Sequence, residues 1–477
     1  MLLRRLAALS TAALVLLPIT SSAPAAGREV APHGAAGIGD PYFPLDGNGG
    51  IDVRSYDIHD RYRFREGRLS GWTAVTLRAT ETLSTFNLDF LLPVRAVSVD
   101  GRPAAFDKTH HELVVEHPVA AGDVVRVVVR YSGHPGKYSY AGESNWLANA
   151  HEVVAMNQPH MAPWWFPAND HPLDKAHVRM SITVPKAKQV VGNGRRVDRT
   201  VRRGLATTTW EASEPMVPYL AFFAAGSYQV ERGRADGRPW YVAVSDGLGT
   251  ASQRVAMGLM KRTPALVHWL ETVIGPYPFA QTGGLTTALP VGFALENQTR
   301  PTYPFMGDGQ GAVRTVVHEL AHQWFGDSVA IAGWRDIWLN EGWATYFEDY
   351  YGETHGGPTT DELLRDRYGD IPADDAFWGR EVADPCADHQ DCVGPIFAGF
   401  VYERGGMTLS ALRNRVGDDS FSELIRRWVT DRADGNGSTE QFEALAEQVS
   451  GQDLGGFFDA WVHATTKPAD TAANGLG

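Results

Sequence analysis

Val317-His318-Glu319-Leu320-Ala321-His322 and, a little further on, Trp338-Leu339-Asn340-Glu341-Gly342 decide how this chain is read. On a helix, residues four apart lie one turn apart on the same face, so the imidazoles of His318 and His322 can reach one ion together. Glu319, one position on, is turned by about 100° and leans toward a water on that ion. The bare pattern also fits a helix with two solvated histidines, and its surroundings decide between the two. Glu341 follows His322 by nineteen positions, and Gly326, Gly333 and Trp334 between them let the chain leave one helix and return with a second. Two His and one Glu make the three-ligand set of a catalytic zinc site, with the fourth position left for water. A structural site would be closed by four protein ligands, usually including thiolates. One Zn2+ per chain is therefore expected. Glu348, seven positions after Glu341 and two turns along the same face, is placed to orient a ligand histidine; a surface carboxylate is the alternative there.

Outward from these helices, the second half of the chain keeps helical spacing over residues 252–273, 313–325, 339–351, 402–415, 420–429 and 439–449. The first half reads differently. Residues 69–92 alternate loosely, 112–115 and 124–131 are rich in β-branched residues, and 178–184, 190–191, 206–210 and 218–225 continue the pattern. Many short strands with turn signals between them predict a β-sandwich. The fold class expected is α+β and multidomain: a leader at 27–46, a sandwich at 47–232, a mainly helical zinc domain at 233–465 and a tail at 466–477.

Composition is that of a globular protein, 43% hydrophobic and 21% charged over 477 residues. The net charge of −13, with no basic patch to offset it, argues against nucleic acid as a partner. Arg4 and Arg5, the apolar run 6–19 and the small residues Ala23-Pro24-Ala25 read as a signal peptide at 1–26. The apolar run is shorter than the roughly 20 residues a spanning helix needs. A secreted or extracellular monomer with no membrane span after cleavage is expected. Cys386 and Cys392 are the only cysteines, and in an oxidising compartment such a close pair forms a disulfide loop.

The run His318–Asp327 (HELAHQWFGD) followed by Trp338–Gly342 (WLNEG) resembles the gluzincin aminopeptidases, the family of aminopeptidase N, puromycin-sensitive aminopeptidase and leukotriene hydrolase. Three more segments agree, in family order. Trp165-Phe166-Pro167 with Asp170, Pro172 and Lys175-Ala176 is similar to the stretch at the junction of the two domains. Phe293-Ala294-Leu295-Glu296-Asn297 is similar to the Gly-X-Met-Glu-Asn exopeptidase motif, and Tyr402-Glu403-Arg404-Gly405-Gly406 to the segment of the catalytic tyrosine. The resemblance spans residues 46–461 and implies a β-sandwich packed on a thermolysin-like catalytic domain, in a short two-domain, secreted, bacterial-type member.

What the resemblance implies is hydrolysis of the N-terminal residue of peptides with a free N-terminus. Glu319 is the general base and then acid, and Tyr402 is a donor to the oxyanion. Glu296 and Gln158 bind the substrate ammonium, and Ala294 belongs to the strand that pairs with the peptide, which Asn297 supports. Phe293 and Leu295 stand where the motif usually has Gly and Met, and Gln158 stands where most members carry Glu. These departures bear on specificity and leave the zinc set intact. An endopeptidase or an epoxide hydrolase on the same scaffold is the enzymatic alternative. A catalytically silent peptide-binding protein is the alternative of another class, against which the complete set of His318, His322, Glu341, Glu319 and Tyr402 argues.

Overall fold

The computed structural model describes residues 31–477, so the expected signal peptide lies outside the described residues. Strand β1 (Ile51–Arg63) buries Ile51 and Val53 and then switches to Tyr56, Ile58 and Tyr62. The switch of parity is a β-bulge: its register against β2 (Arg68–Ala79) shifts between Val53 and Ser55. One extra residue there turns the rest of the strand so that its apolar side chains still face the core. Both strands belong to a ten-stranded sheet, in which β1 also pairs in parallel with the strand His177–Pro185. A four-stranded sheet (Leu147–Ala148, Val153–Ala155, Gln189–Gly192 and Phe223–Gly226) forms the second layer. Its faces serve two cores: Val153, Ala155, Phe223 and Ala225 enter the sandwich core, while Val154 and Ala224 pack with Leu285 and Leu295 at the seam with the catalytic half.

Gly233, near which the boundary was expected to within about ten residues, lies inside a hairpin, β3 (Tyr228–Ala235) with β4 (Arg238–Ser245). Strand β4 pairs in parallel with β5 (Thr282–Thr286), and β5 with β6 (Thr302–Tyr303). The chain therefore changes sheets before Tyr228. Strand spacing identifies strands but not the sheet they join, so the β pattern ran past the junction.

The expected helix at 252–273 is two helices, α1 (Thr250–Met260) and α2 (Thr263–Val273). Pro264 explains the break, since proline has no N–H to continue a helix and is tolerated in a first turn. The rest of the catalytic half is built on α3 (Gln310–Ala321), α4 (Trp338–Thr354), α5 (Thr360–Asp370), α6 (Gly399–Val416), α7 (Asp418–Asp431) and α8 (Thr439–Ser450). The expected strand at 218–225 is a 3-10 turn (Pro218–Leu220) followed by the strand Phe223–Gly226.

Two segments expected to be a leader and a tail are parts of the fold. Tyr42 and Phe43 are buried in the catalytic core, and Asp40 Oδ2 accepts from the Trp334 backbone N–H at 3.0 Å and contacts His171 Nε2 at 3.1 Å. At the other end Leu476 is buried, and the Trp461 indole N–H donates to the Asn474 carbonyl at 3.0 Å. Gly- and Pro-rich composition concealed both, because a few anchoring side chains do the packing. Cys386 and Cys392 are joined. Among the described residues no helix is long and apolar enough to cross a membrane.

Candidate active site

Helix α3 carries His318 in its last turn, and His322 closes it. Gly326, at φ +126°, reverses the chain toward α4, a helix buried around most of its circumference, which brings Glu341 in its first turn. The ligand atoms of the three side chains lie within 4.8 Å of one another. Glu341 Oε2 is 3.3 Å from His318 Nε2 and 3.4 Å from His322 Nε2. The outer nitrogens are held as well. His318 Nδ1 lies 3.0 Å from Glu348 Oε1, and His322 Nδ1 donates to the Phe325 carbonyl at 3.0 Å. Both rings therefore turn Nε2 toward Glu341, the tautomer a metal ligand requires.

The donor set fits zinc. Zn–N and Zn–O bonds of roughly 2.0–2.2 Å at tetrahedral angles place neighbouring ligand atoms roughly 3.3–3.5 Å apart, and both separations match. Electrostatics agree. Burial opposes a charged His318, but hydrogen-bonding contacts to Glu341 and Glu348 outweigh it and hold the imidazole well above its usual range. Burial likewise opposes a charged His322, yet Glu341 and Glu296 raise it to about 9. Groups that attract protons so strongly attract a divalent cation by the same field. Glu348 is drawn into the set: burial disfavours its charge, but His318, Arg314 and Arg367 hold its carboxyl below the usual range.

Glu319 and Tyr402 line the same cavity, of about 540 Å³, as the three ligands. The protein's own groups raise Glu319 to about 8, through burial and repulsion from Glu296 and Glu341 against the pull of His318 and His322. Tyr402 reaches the cavity because α6 lies unusually close to α4. A Cβ on Gly405 would come within 2.9 Å of the Gly342 Cα, and one on Gly342 within 3.0 Å of the Gly405 backbone. The Tyr402 ring stacks beside that of His318, centroids 6.1 Å apart. Burial, with Glu341, Glu296 and Glu319 nearby, keeps its phenol well above the ordinary range and so protonated. Arg404, fully buried, anchors α6 by donating to the carbonyls of Arg380 at 3.0 Å and Ala464 at 2.9 Å.

Glu296 and Gln158 also line this cavity, and there the Gln158 side-chain amide donates to Glu296 Oε1 at 3.0 Å. Tyr219 donates to the same oxygen at 2.9 Å. Ala294 lines the cavity, as does Phe293, which is 44% exposed. Asn297, expected among the substrate-binding residues, is turned away from the cavity. It is fully buried and donates to the Leu220 carbonyl at 3.2 Å, so it shapes the strand from behind. Leu295 pairs with Thr302 through both backbone groups, at 2.9 and 2.8 Å.

Tyr219, Gln323 and Lys175 hold this site together and were not singled out for it from the sequence. The Gln323 amide donates to the Glu296 carbonyl and to Asp327 Oδ2, both at 2.8 Å, and its oxygen accepts from the Thr299 N–H at 2.7 Å. It welds the Glu296 strand to the turn after α3. Lys175, from the sandwich, donates to the carbonyls of Asp327 and Ser328 at 2.8 and 2.7 Å. A tyrosine inside the apolar run 218–225, whose hydroxyl needs a partner, was the available signal for Tyr219.

Residues 284–461 match the peptidase family M1 domain, and residues 55–220 match the peptidase M1 N-terminal domain. An M1 zinc metallopeptidase from Deinococcus radiodurans, whose structure was solved as a mutant bound to a Tyr-Ser-Ala substrate, is 28% identical. It superposes with a TM-score of 0.79, over 91% of this chain and 99% of that one. Aminopeptidase M1-B of Oryza sativa subsp. japonica is 24% identical over 352 residues, 68% of this chain and 38% of the rice protein. Human glutamyl aminopeptidase is 26% identical over 326 residues, 65% of this chain and 34% of the human one. The chain thus spans well under half the length of these two relatives.

Proposed function

The chain belongs to the peptidase M1 family, and on that footing we propose that it is a zinc-dependent aminopeptidase, removing the N-terminal residue of peptides. The observation that carries this is one shared cavity. The His318–His322–Glu341 set, Glu319 and Tyr402 line it together with the buried carboxylate of Glu296, which feels the charges of His322 and Glu341. A metal set beside an open groove would serve cleavage anywhere along a chain. A fixed carboxylate close to the metal set selects substrates that end there in an ammonium. Zinc, when bound, supplies Lewis acidity that polarises the scissile carbonyl and makes water acidic near neutral pH.

The chain's own residues do the rest. Glu319 takes the proton of the attacking water and returns it to the leaving amine. Tyr402, kept protonated, donates to the oxyanion as charge develops there. Tyr219 and Gln158 occupy Glu296 Oε1, which leaves Oε2 for the substrate ammonium. Because the Gln158 amide is spent on Glu296, its carbonyl oxygen is the part left to accept from that ammonium. Glu348 and the Phe325 carbonyl orient the two ligand histidines. The proposal also takes the protein to be secreted, supported by the signal-like residues 1–26 and by the Cys386–Cys392 disulfide.

Two mutations test the roles. Tyr402→Phe removes one oxyanion donor and is expected to lower kcat by about 10²- to 10³-fold with little change in KM. An unchanged kcat would move the role to another group. At the anchor, a charge-assisted hydrogen bond is worth about 1.5–3 kcal/mol, so Glu296→Gln should cost roughly 10- to 100-fold in kcat/KM on aminoacyl-naphthylamides. Gln158→Ala should cost less, since it removes a neutral partner. The reverse order of effects would show that Glu296 is not the ammonium anchor.

A further inference from the structure

Far from the zinc set, inside the N-terminal sandwich, the strands Phe86–Asp89 and Glu112–Glu116 pair with Asp89 opposite Glu112. Asp89, Glu112 and the adjoining His111 converge there, none more than 5% exposed, with ligand-type atoms within 4.8 Å of one another. His111 Nδ1 is 3.3 Å from Glu112 Oε1 and 3.6 Å from Asp89 Oδ1. Neither is a hydrogen bond. Asp89 Oδ1, both ring nitrogens of His111 and both carboxylate oxygens of Glu112 are buried without a partner. Buried polar atoms are nearly always paired, so five bare ones at one point call for a ligand. Asp170 adds another unpartnered oxygen, Oδ2, and its backbone N–H donates to Asp89 Oδ2 at 2.6 Å. Lys108, the cation whose charge Glu112 feels, donates its ammonium to the carbonyls of Thr109 and His110 at 2.6 and 3.1 Å.

We propose that Asp89, His111 and Glu112 form a second metal site, which takes one divalent transition-metal ion through one imidazole nitrogen and two carboxylates. The separations resemble the 3.3 and 3.4 Å of the His318–His322–Glu341 set. The His111 ring is held in place by stacking on Tyr140, centroids 3.8 Å apart and planes 6° from parallel. Burial raises the Asp89 carboxyl well above its usual range, and burial, with a smaller push from Asp46 and against Lys108 and the neighbouring Asp89 carboxyl, raises Glu112 to about 7. Such carboxylates gain from a counter-cation. From the site a chain of contacts runs back to the catalytic cavity. Tyr140 donates to Asp46 at 2.9 Å, Asp46 meets His160 at 2.5 Å, and His160 meets Glu143, a residue of the cavity wall, at 2.6 Å. The ion braces that wall from behind.

The test is metal stoichiometry by elemental analysis of the full chain, expressed and purified with zinc throughout and then desalted, with a parallel manganese arm. Wild type is expected to carry two ions per chain in at least one arm. His111→Phe keeps a flat ring against Tyr140 and Glu112→Gln keeps the side-chain shape; each should carry one ion fewer in that arm and still hydrolyse substrate. His322→Phe should also lose one ion, and the double variant with His111→Phe should hold none. If His111→Phe does not fold, Glu112→Gln decides. A single ion per wild-type chain in both arms overturns the proposal, and so does an unchanged count in the folded His111 or Glu112 variants.

Discussion

Glu319→Gln is expected to bind zinc as the wild type does and to lose turnover by about 10²- to 10⁴-fold. The side chain is buried, lines the cavity beside His318 and His322, and is not one of the three converging ligands. Glutamine keeps its size and a hydrogen-bonding end but has no basicity, so the ligand set should hold while proton transfer fails. The loss should be large because Glu319 is used twice, first as base and then as acid. Metal content and kcat measured on the same preparation separate this from a binding defect. Near-normal turnover with zinc in place would assign the proton transfer to another group.

Removing the metal should abolish hydrolysis, and adding zinc back should restore it. Lewis-acid stabilisation is worth several kcal/mol, at least about three orders of magnitude in rate. Among the described residues nothing in the cavity carries an equivalent charge: Tyr402 is one neutral donor, and the carboxylates of Glu143, Glu296, Glu319, Glu341 and Glu348 repel a developing oxyanion. Activity should fall as a chelator removes metal during dialysis and return as added zinc refills the His318–His322–Glu341 set. Full activity in protein shown to be metal-free would remove zinc from the mechanism.

Much of this site was legible because its chemistry depends on local spacing. His318 and His322 sit one helical turn apart, and Glu341 and Glu348 two turns apart, so four of the positions follow from helix geometry. Structure brings His318 and Glu348 to 3.0 Å, the contact that spacing alone had left open. Gly405 and Gly342 show what spacing could not supply: their close approach is a contact between two helices distant in sequence. Tyr219 and Gln323 are invisible for the same reason, since their partners lie 77 and 27 positions away. Fold boundaries were the weaker part. The break at Pro264 was readable from proline's missing N–H, but the sheet joined by 228–245 was not, because pairing partners are chosen by tertiary packing. The orphaned polar atoms of Asp89, His111 and Glu112 appear only when strands far apart in sequence are brought into register.

The most direct measurement uses one peptide in two forms, with a free and with an acetylated N-terminus, followed by mass spectrometry over time with the zinc-loaded enzyme. Glu296, held by Tyr219 and Gln158, provides a carboxylate for an ammonium that acetylation abolishes. The free peptide is expected to lose its residues one at a time from the N-terminus, and the acetylated peptide to stay intact on that timescale. Cleavage of the acetylated peptide at internal bonds, as fast as the free form loses its first residue, would contradict the account and make this chain an endopeptidase.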